Sequence, residues 1–328
     1  MTKKEALNNI SNLSALVVGD VMIDAYLYGV VERMSPEAPV PVVLMNGRDE
    51  RAGGASNVAR NVQALGAEVH IATIIGNDSA GDRLLELFKS RKMGTSACLR
   101  ASNRITTIKT RIIHGNEHML RVDEETDEEI SSKVSNELLN SCIYIIDHYN
   151  IDVIIFEDYD KGVLTTDFIK SLTTEARKRN ILVAVDPKLK GFLNYPGVDL
   201  FKPNLKELRE GLSTDINFDN NNFDSLKVAV TELHERLNPK ISITTLGSGG
   251  VWINSPRLKI DHLHVEASPC DVTDVSGAGD TVIATAALML ASGASPEIIA
   301  EVANRAGAQV CEKGGVVTVD LEKLIAES

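Results

Sequence analysis

The sequence predicts an α/β fold in which a mainly parallel sheet is covered by helices on both faces. Short runs rich in β-branched residues alternate along the 328-residue chain with longer segments whose apolar residues recur at helical spacing. The short runs are almost continuously apolar, which is typical of parallel strands buried on both faces. A hydrophobic fraction of 43% with 24% charged residues indicates a globular protein that can build a full core.

Each predicted element can be assigned from its own pattern. Strands of the main sheet are predicted at residues 16–18, 69–75, 153–156, 181–185 and 241–246. Helices are predicted from the periodic segments NVARNVQAL, RLLELFKS, SNELLNSCIYIID and DFIKSLTTEARKR, which lie among the strands. Because strand and helix follow one another, neighbouring strands are joined by crossovers and run parallel.

Two segments interrupt this alternation. Residues 26–45 are rich in Val and Pro, and residues 105–122 have the pattern of a hairpin that turns at HGNE. We expect them to form a small β-sheet that projects from the main domain as a lid. The open edges and apolar face of such a sheet need a cover, so a homodimer through the lid is predicted. The apolar residues in question are Val30, Val31, Val40, Val42 and Val43.

Charge and hydropathy exclude some partners. The chain has 34 basic and 46 acidic residues and a net charge of −12, which argues against binding to a nucleic-acid backbone. A small anionic ligand remains compatible, because it needs only a local basic cluster. No run of about 18 apolar residues occurs, and the first residues lack the apolar core of an export signal. We therefore expect a cytoplasmic protein that does not bind membranes.

The most informative segment is DVSGAGD, residues 274–280, which precedes a long aliphatic helical run. The backbone N–H groups of Gly277, Ala278 and Gly279 would form an anion site at the positive end of the helix dipole. Asp280 would be repelled by a bound phosphate, a cost that makes sense if its carboxylate accepts a proton from an attacking hydroxyl. The alternative is a capped helix packed closely on a strand. A GK[ST] phosphate loop is excluded, because the chain contains no Gly-Lys pair.

Four further motifs lie at predicted strand ends. TLGSGG, residues 245–250, has three glycines in four positions, which suits close approach of a nucleotide phosphate. KPNLKE, residues 202–207, places Asn204 and Glu207 three residues apart, either as a helix capping box or as a pair that holds magnesium-bound waters. The motifs GDVMID and GGASN supply side chains and open backbone for a polyhydroxylated ligand at the strand ends. These residues are Asp20, Asp24, Gly53, Gly54 and Asn57.

These motifs together resemble the ribokinase family of sugar kinases, also called the phosphofructokinase B family. GDVMID, GGASN, KPNLKE, TLGSGG and DVSGAGD occur in the order and spacing of that family over essentially the whole chain. The resemblance implies one three-layer α/β/α kinase domain over residues 1–328, with β lid segments at about 26–45 and 105–122. It also implies transfer of the γ-phosphoryl group of ATP to a sugar hydroxyl.

The same resemblance assigns roles residue by residue. Asp280 would be the general base, and Gly277, Ala278 and Gly279 would form the anion hole. Asn204 and Glu207 would hold Mg²⁺ through water. The nucleotide would be bound by Asn204, Leu205, Lys206, Glu207, Thr245, Gly247, Ser248, Gly250 and Asn304. The sugar would be bound by Asp20, Asp24, Gly53, Gly54 and Asn57.

A narrower resemblance rests on ERMSPEAPVPVV, TIKTRII, MLRVDEE and EDYDKG. These segments are similar to family members that phosphorylate the anomeric oxygen of D-glycero-β-D-manno-heptose 7-phosphate for ADP-heptose and lipopolysaccharide synthesis. In many bacteria that kinase is fused to a nucleotidyltransferase. No HxGH motif occurs here, so the second reaction is expected to belong to another protein.

A phosphorylated sugar needs cations beside the sugar site. Lys109, Arg111, Arg121 and Lys161 are the candidate ligands of its phosphate. Taken one at a time, they also fit alternating solvated charges on lid strands. The alternatives left open are a ribose, fructose or hexose-phosphate kinase of the same family and a regulatory protein that binds sugar or nucleotide without turnover.

Overall fold

The central sheet of this protein has nine strands, and the computed structural model describes them within residues 1–115, 117–217 and 222–327. The strands are β1 (Ser14–Gly19), β4 (Glu68–Gly76), β5 (Gly94–Ala101), β8 (Val153–Glu157), β9 (Leu182–Asp186), β10 (Leu200–Phe201), β11 (Ile241–Thr245), β12 (Val251–Ser255) and β13 (Ile260–Val265). Their order is β13-β12-β11-β10-β9-β8-β1-β4-β5. The pairings from β11 to β5 are parallel, and β12 pairs antiparallel with both β11 and β13.

Helices cover both faces of this sheet, which confirms the predicted α/β class. They are α1 (Lys3–Asn9), α2 (Ala55–Ala64), α3 (Ser79–Ser90), α4 (Ser132–His148), α5 (Thr166–Lys178), α6 (Leu205–Leu212), α7 (Asp224–Leu237), α8 (Ala278–Ala291), α9 (Pro296–Cys311) and α10 (Leu321–Ala326). One hydrophobic cluster packs helices such as α2, α8 and α9 on one face. A second cluster packs α4, α5, α6 and α7 on the other, so the architecture has three layers.

The five strands predicted for the main sheet are all present, and four others were missed. Those four are β5, β10, β12 and β13. β5 and β13 lie at the two edges of the sheet and carry polar residues, and β10 spans only two residues. Short or partly polar edge strands do not have the continuous apolar run that identified the central strands.

A separate four-stranded sheet forms the predicted lid. β2 (Val21–Met34) and β3 (Pro41–Gly54) make a long antiparallel hairpin, and β6 (Thr107–His114) and β7 (Glu117–Glu124) make a second one. β6 runs parallel to β2, so the order is β3-β2-β6-β7. The predicted HGNE turn includes Asn116, and the polar segment 216–225 includes residues 218–221; these positions lie outside the described residues.

The outer part of the lid leaves apolar side chains exposed. They lie on β2, β3 and β7 and on the turn between β2 and β3 and include Val30, Met34, Val40, Leu44, Leu120 and Val122. Val31, Val42 and Val43 are only partly buried. Over the residues that the structure describes, helices with the length and apolar character needed to cross a membrane are absent.

Candidate active site

The candidate site lies where the central parallel strands end and α8 begins. α8 starts with Gly277 as its N-cap residue, in the left-handed region at φ +80°. A Cβ at this position would lie 2.8 Å from Asn57 Nδ2, so both the backbone angle and the space require glycine. Within the described part of the chain, no side chain caps α8, and Asp274 instead accepts from the N–H groups of Ser276 and Gly315. The N–H of Ala278 donates to the Val275 carbonyl at 3.2 Å, whereas those of Gly277 and Gly279 have no acceptor among the described residues and are left for a ligand.

Asp280 lies in the first turn of α8 and is 6% exposed. Its Oδ2 accepts from Asn57 Nδ2 at 2.7 Å, and its Oδ1 accepts from the Tyr159 hydroxyl at 3.0 Å. Burial raises the pKa of Asp280, and Asp186 raises it further, while the two hydrogen bonds lower it. The carboxylate predicted as the base is thus fixed by two donors and does not cap the helix.

Two acidic residues without a role predicted from the sequence join Asp280. Oxygen atoms of Glu157, Asp186 and Asp280 all lie within 4.8 Å of one another. Both oxygens of the fully buried Glu157, and Oδ1 of Asp186, lack a hydrogen-bond donor among the residues that the structure describes. Burial, together with Asp186 and Asp280, raises the pKa of Glu157 well above its usual range. Carboxylate oxygens without donors fit a hard divalent cation such as Mg²⁺, which would offset the cost of burying their negative charges.

Two lysines balance part of this negative charge. Lys202 is 2% exposed, and its Nζ lies 2.9 Å from Asp186 Oδ2. The same Nζ is 3.7 Å from the position that a Cβ would take on Gly279, so it faces the start of α8. Lys188 Nζ lies 2.7 Å from Glu207 Oε1 and 3.6 Å from Asp186 Oδ1. Burial alone would lower the pKa of Lys188, but Asp186 and Glu207 raise it, so this lysine stays charged.

Asn204 and Glu207 form the capping box that was one of the two alternatives. Asn204 Oδ1 accepts from the Glu207 N–H at 2.8 Å, and Glu207 Oε2 accepts from the Asn204 N–H at 2.8 Å. Leu205 and Lys206 follow in the first turn of α6, where the Lys206 side chain is exposed. A role for Asn204 and Glu207 in holding magnesium-bound water stays a prediction beside this structural role.

The predicted nucleotide residues of the TLGSGG motif line one cavity of about 360 Å³. The cavity is lined by Thr245, Gly247, Ser248 and Gly250 and also reaches Ala278, Gly279 and Asn304. It therefore connects the glycine turn with the start of α8. Asn304 Nδ2 donates to the carbonyl of Glu266 at 2.7 Å, so it also holds one wall of the cavity.

The residues predicted for the sugar form a second group, which contacts Asp280 through Asn57. Arg111 Nη1 donates to Asp24 Oδ1 at 2.5 Å. A Cβ on Gly53 would lie 1.9 Å from Asp24 Oδ2, and Gly54 is the N-cap of α2 at φ +62°. Asn57 on α2 completes the group by its bond to Asp280. Asp24, Gly53, Gly54 and Asn57 are thus brought together beside the candidate base.

Asp20 has a different position from the other predicted sugar ligands. Its carboxylate is buried and accepts from the backbone N–H groups of Tyr159, Lys161 and Val163 at 2.9, 3.1 and 3.2 Å. In this structure its oxygens fix the loop that follows β8. A contact of Asp20 with sugar stays a prediction.

Three of the four predicted phosphate ligands, Lys109, Arg111 and Lys161, have mostly buried side chains. Lys109 and Lys161 meet at the base of the lid, where β6 begins and β7 ends. Lys109 Nζ lies 3.1 Å from Asp123 Oδ2 and 2.9 Å from Glu125 Oε2, and Lys161 Nζ lies 2.8 Å from Glu125 Oε1. Arg111 pairs with Asp24, as described above. Arg121 is different, because its side chain is 58% exposed and pairs with Asp123 at 2.9 Å. All four cations therefore have carboxylate partners, which the residue types alone did not indicate.

The sequence as a whole identifies the class of protein. Residues 12–324 match the model of the pfkB family carbohydrate kinases, and the chain belongs to this family, whose members phosphorylate carbohydrates with ATP. It is 38% identical over 309 residues to the "Bifunctional protein HldE" of Sulfurimonas denitrificans, covering 94% of this chain and 63% of that one. The HldE of Desulfatibacillum aliphaticivorans is 38% identical over 317 residues, covering 97% and 63%. The chain thus spans less than two thirds of these relatives.

Solved structures show the same fold at much lower identity. Phosphofructokinase-2 from Escherichia coli superposes with a TM-score of 0.76 at 18% identity, covering 96% of this chain and 98% of that one. A ribokinase from Arabidopsis thaliana gives 0.72 at 16% identity, covering 96% and 99%. The ribokinase-like fold expected from the sequence is confirmed.

Proposed function

We propose that this carbohydrate kinase transfers the γ-phosphoryl group of ATP to the anomeric hydroxyl of D-glycero-β-D-manno-heptose 7-phosphate. The observation that carries the choice of substrate is the pair of lysines at the base of the lid. Lys109 and Lys161 both contact Glu125, and Lys161 lies two residues beyond Tyr159, whose hydroxyl contacts Asp280. A phosphate held by these lysines would place its sugar between the lid and the candidate base.

The charge of this cluster supports an anionic substrate. Lys109, Arg121 and Lys161 share two carboxylates, Asp123 and Glu125, so one positive charge is in excess. The whole chain carries a net charge of −12, and an anion approaching it needs local cations to be attracted. A phosphate that replaced Glu125 at the lysines would keep their charge-assisted hydrogen bonds.

The relatives support the heptose rather than another sugar. Similarity to proteins named HldE extends over 94–98% of this chain in several bacteria. Two of the four segments that resemble heptose-phosphate kinases are residues 107–113, which form most of β6, and residues 119–125, which form most of β7 and the residue after it. These two segments carry Lys109, Asp123 and Glu125, so part of the resemblance lies at the proposed phosphate subsite.

In the proposed reaction, Asp280 accepts the proton of the anomeric hydroxyl. The anomeric oxygen forms a bond to the γ-phosphorus of ATP, and the bond between that phosphorus and the ADP oxygen breaks. The free amides of Gly277 and Gly279 and the Lys202 ammonium, which lies near Gly279, would stabilise the negative charge of the transferred group. ADP would lie in the cavity lined by Thr245 and Gly250. Mg²⁺, held by Glu157 and Asp186 or through water by Asn204 and Glu207, would neutralise charge on the phosphates.

A panel of sugars tests the proposal. With ATP and Mg²⁺, ADP release should be fastest with D-glycero-D-manno-heptose 7-phosphate and at least about 100-fold slower with the unphosphorylated heptose, since the lysines would lose their ligand. Chelation of Mg²⁺ with EDTA should stop the reaction. Equal turnover of ribose or fructose would contradict the heptose assignment. Tight ATP binding without ADP release from any sugar would favour a regulatory protein.

We also expect a homodimer formed through the lid. The exposed side chains of Val30, Met34 and Leu44 would otherwise remain in water beside open strand edges. Light scattering at micromolar concentration should give twice the monomer mass of 35.6 kDa. The double substitution Met34→Glu with Leu44→Glu should shift the mass to that of a monomer, and a monomeric parent protein would contradict the expectation.

A further inference from the structure

Two of the four cysteines line the cavity in which the nucleotide is expected. All four are free thiols, and Cys98 and Cys142 pack with the hydrophobic clusters on the two faces of the sheet. Cys270 and Cys311 are only partly buried, and both contribute to the wall of the cavity that connects the glycine turn with the start of α8. This second pair therefore lies where a ligand is expected and not in the core.

Cys270 and Cys311 lie on two segments that are bonded to each other. Cys270 is in the segment of residues 266–277, between β13 and α8, and Cys311 is the last residue of α9. The Cys311 carbonyl accepts from the N–H groups of Thr273 and Asp274 at 2.8 and 3.2 Å. The same segment leads directly into the first turn of α8. A bulky group at either sulfur would therefore occupy the cavity and displace the segment that leads into the anion site.

The wall of the cavity beside Cys270 is open to solvent. Val272 and Val275 lie on the same segment and line the cavity, and their side chains are exposed. A small solute can therefore reach the cavity while the protein stays folded. The cavity volume of about 360 Å³ is near the lower end of the range for ligand pockets, so a group attached to Cys270 and a nucleotide would compete for the same space.

The four thiols differ in how readily they react. The thiolate is the nucleophile in cysteine chemistry, and a raised pKa makes it scarce. Burial raises the pKa of Cys98 to about 12 and raises that of Cys142 as well, so both stay protonated. Burial also raises the pKa of Cys311, and the charges of Cys270 and Asp274 raise it further. We therefore expect Cys270 to react before Cys311.

We propose that Cys270 and Cys311 form a modification site, at which thiol–disulfide exchange with a low-molecular-weight disulfide closes the nucleotide cavity. The Cys270 thiolate attacks one sulfur of the disulfide, the bond between its two sulfurs breaks, and the other half leaves as a thiolate. The Cys270 sulfur is oxidised to a mixed disulfide, the leaving sulfur is reduced, and a free thiol reverses both changes. Cys311 reacts in the same way but more slowly. This inference rests on the proposed function only because it assumes that ATP occupies this cavity.

Modification and ATP binding should exclude each other. A group attached to Cys270 should lower the affinity for ATP by at least about 100-fold, because a pocket of this size holds one ligand. Coupling between two binding events is reciprocal, so ATP should lower the equilibrium constant of the exchange by the same factor. A group that merely labelled the surface would show neither effect.

The test treats the full-length protein with glutathione disulfide, with and without saturating ATP. Peptide mass spectrometry gives the extent of modification at each cysteine. Calorimetry gives the affinity for ATP before treatment, after treatment and after reduction with dithiothreitol, and the melting temperature shows whether the treated protein stays folded. We expect modification at Cys270 and then at Cys311, protection of both by ATP, and recovery of the affinity on reduction. Cys98 and Cys142 are internal controls and should stay unmodified.

Serine variants separate the two thiols. Cys270→Ser, Cys311→Ser and the double variant are each compared with themselves before and after treatment, so any effect of the substitution on ATP binding cancels. Cys270→Ser should lose most of the early sensitivity to glutathione disulfide, and Cys311→Ser should keep it. The double variant should keep its own affinity for ATP throughout the treatment.

Three outcomes would overturn the proposal. Modification of Cys270 with an unchanged affinity for ATP would show that this thiol lies outside the space that the nucleotide needs. Equal modification with and without ATP would show the absence of coupling. Loss of ATP affinity in the treated double variant would place the cause at another residue. An untreated protein that binds no ATP would contradict the proposed function together with the inference, and the calorimetry before treatment identifies that case.

Discussion

Replacement of Asp280 by Asn should abolish phosphoryl transfer while leaving ATP binding nearly intact. The substitution keeps the size of the side chain and its place in the first turn of α8, and removes the group that accepts a proton. We expect kcat to fall by about 10²- to 10⁴-fold or more. The ATP affinity should change little, because the cavity lined by Thr245, Gly250 and Asn304 is untouched. Single-turnover ADP release and calorimetric ATP titration measure the two effects separately.

Asp271→Asn is the control for this substitution. Asp271 lies nine residues before Asp280 in an exposed part of the chain, so the same chemical change there should leave both rate and affinity as they are. A rate for Asp280→Asn within a few-fold of the parent would show that Asp280 is not the base. The hydrogen bonds from Asn57 and Tyr159 would then have only a packing role.

Replacement of Lys202 by Met should have the largest effect on stability and also impair transfer. Lys202 is buried against Asp186, and without it Asp186 and Glu157 would share their pocket with one cation fewer. Removal of one partner from a buried ion pair costs about 3–5 kcal/mol in free energy of unfolding. Loss of the charge that faces Gly279 should also lower kcat by about 10²-fold or more. Chemical denaturation and steady-state kinetics measure the two quantities.

The neighbouring Lys206 provides a matched control in the same KPNLKE motif. Its side chain is 78% exposed and lies 3.8 Å from Glu210, so Lys206→Met should change stability by less than about 0.5 kcal/mol. This control is compared for stability alone, because a contact of Lys206 with the nucleotide stays a prediction. Equal losses of stability in the two variants would contradict the argument that the buried ion pair of Lys202 stabilises the fold. A stable and active Lys202→Met variant would show that Lys202 has no role in transfer.

The sequence by itself determined the layers of the fold and the small-residue motifs. Continuous apolar runs are required where a parallel strand is covered on both faces, and they located β1, β4, β8, β9 and β11. Glycines are required where the backbone angle or the space excludes a side chain, which is the case at Gly53, Gly54 and Gly277. Such constraints act on neighbouring residues and can be read locally. The residue types of the DVSGAGD motif are therefore enough to indicate an anion site at the start of a helix.

Only the tertiary structure decided which distant side chains meet. Glu157 and Asp186 directly follow two predicted strands. They lie opposite each other because β8 and β9 are neighbours in the sheet, which the sequence does not specify. Tyr159 reaches Asp280 across 121 positions of sequence, through a loop that Asp20 and Arg104 hold. The capping-box geometry of Asn204 and Glu207 likewise required the actual helix start. Residue types can indicate a charge or a donor, but the partner of each buried charge is set by which strand ends the sheet brings side by side.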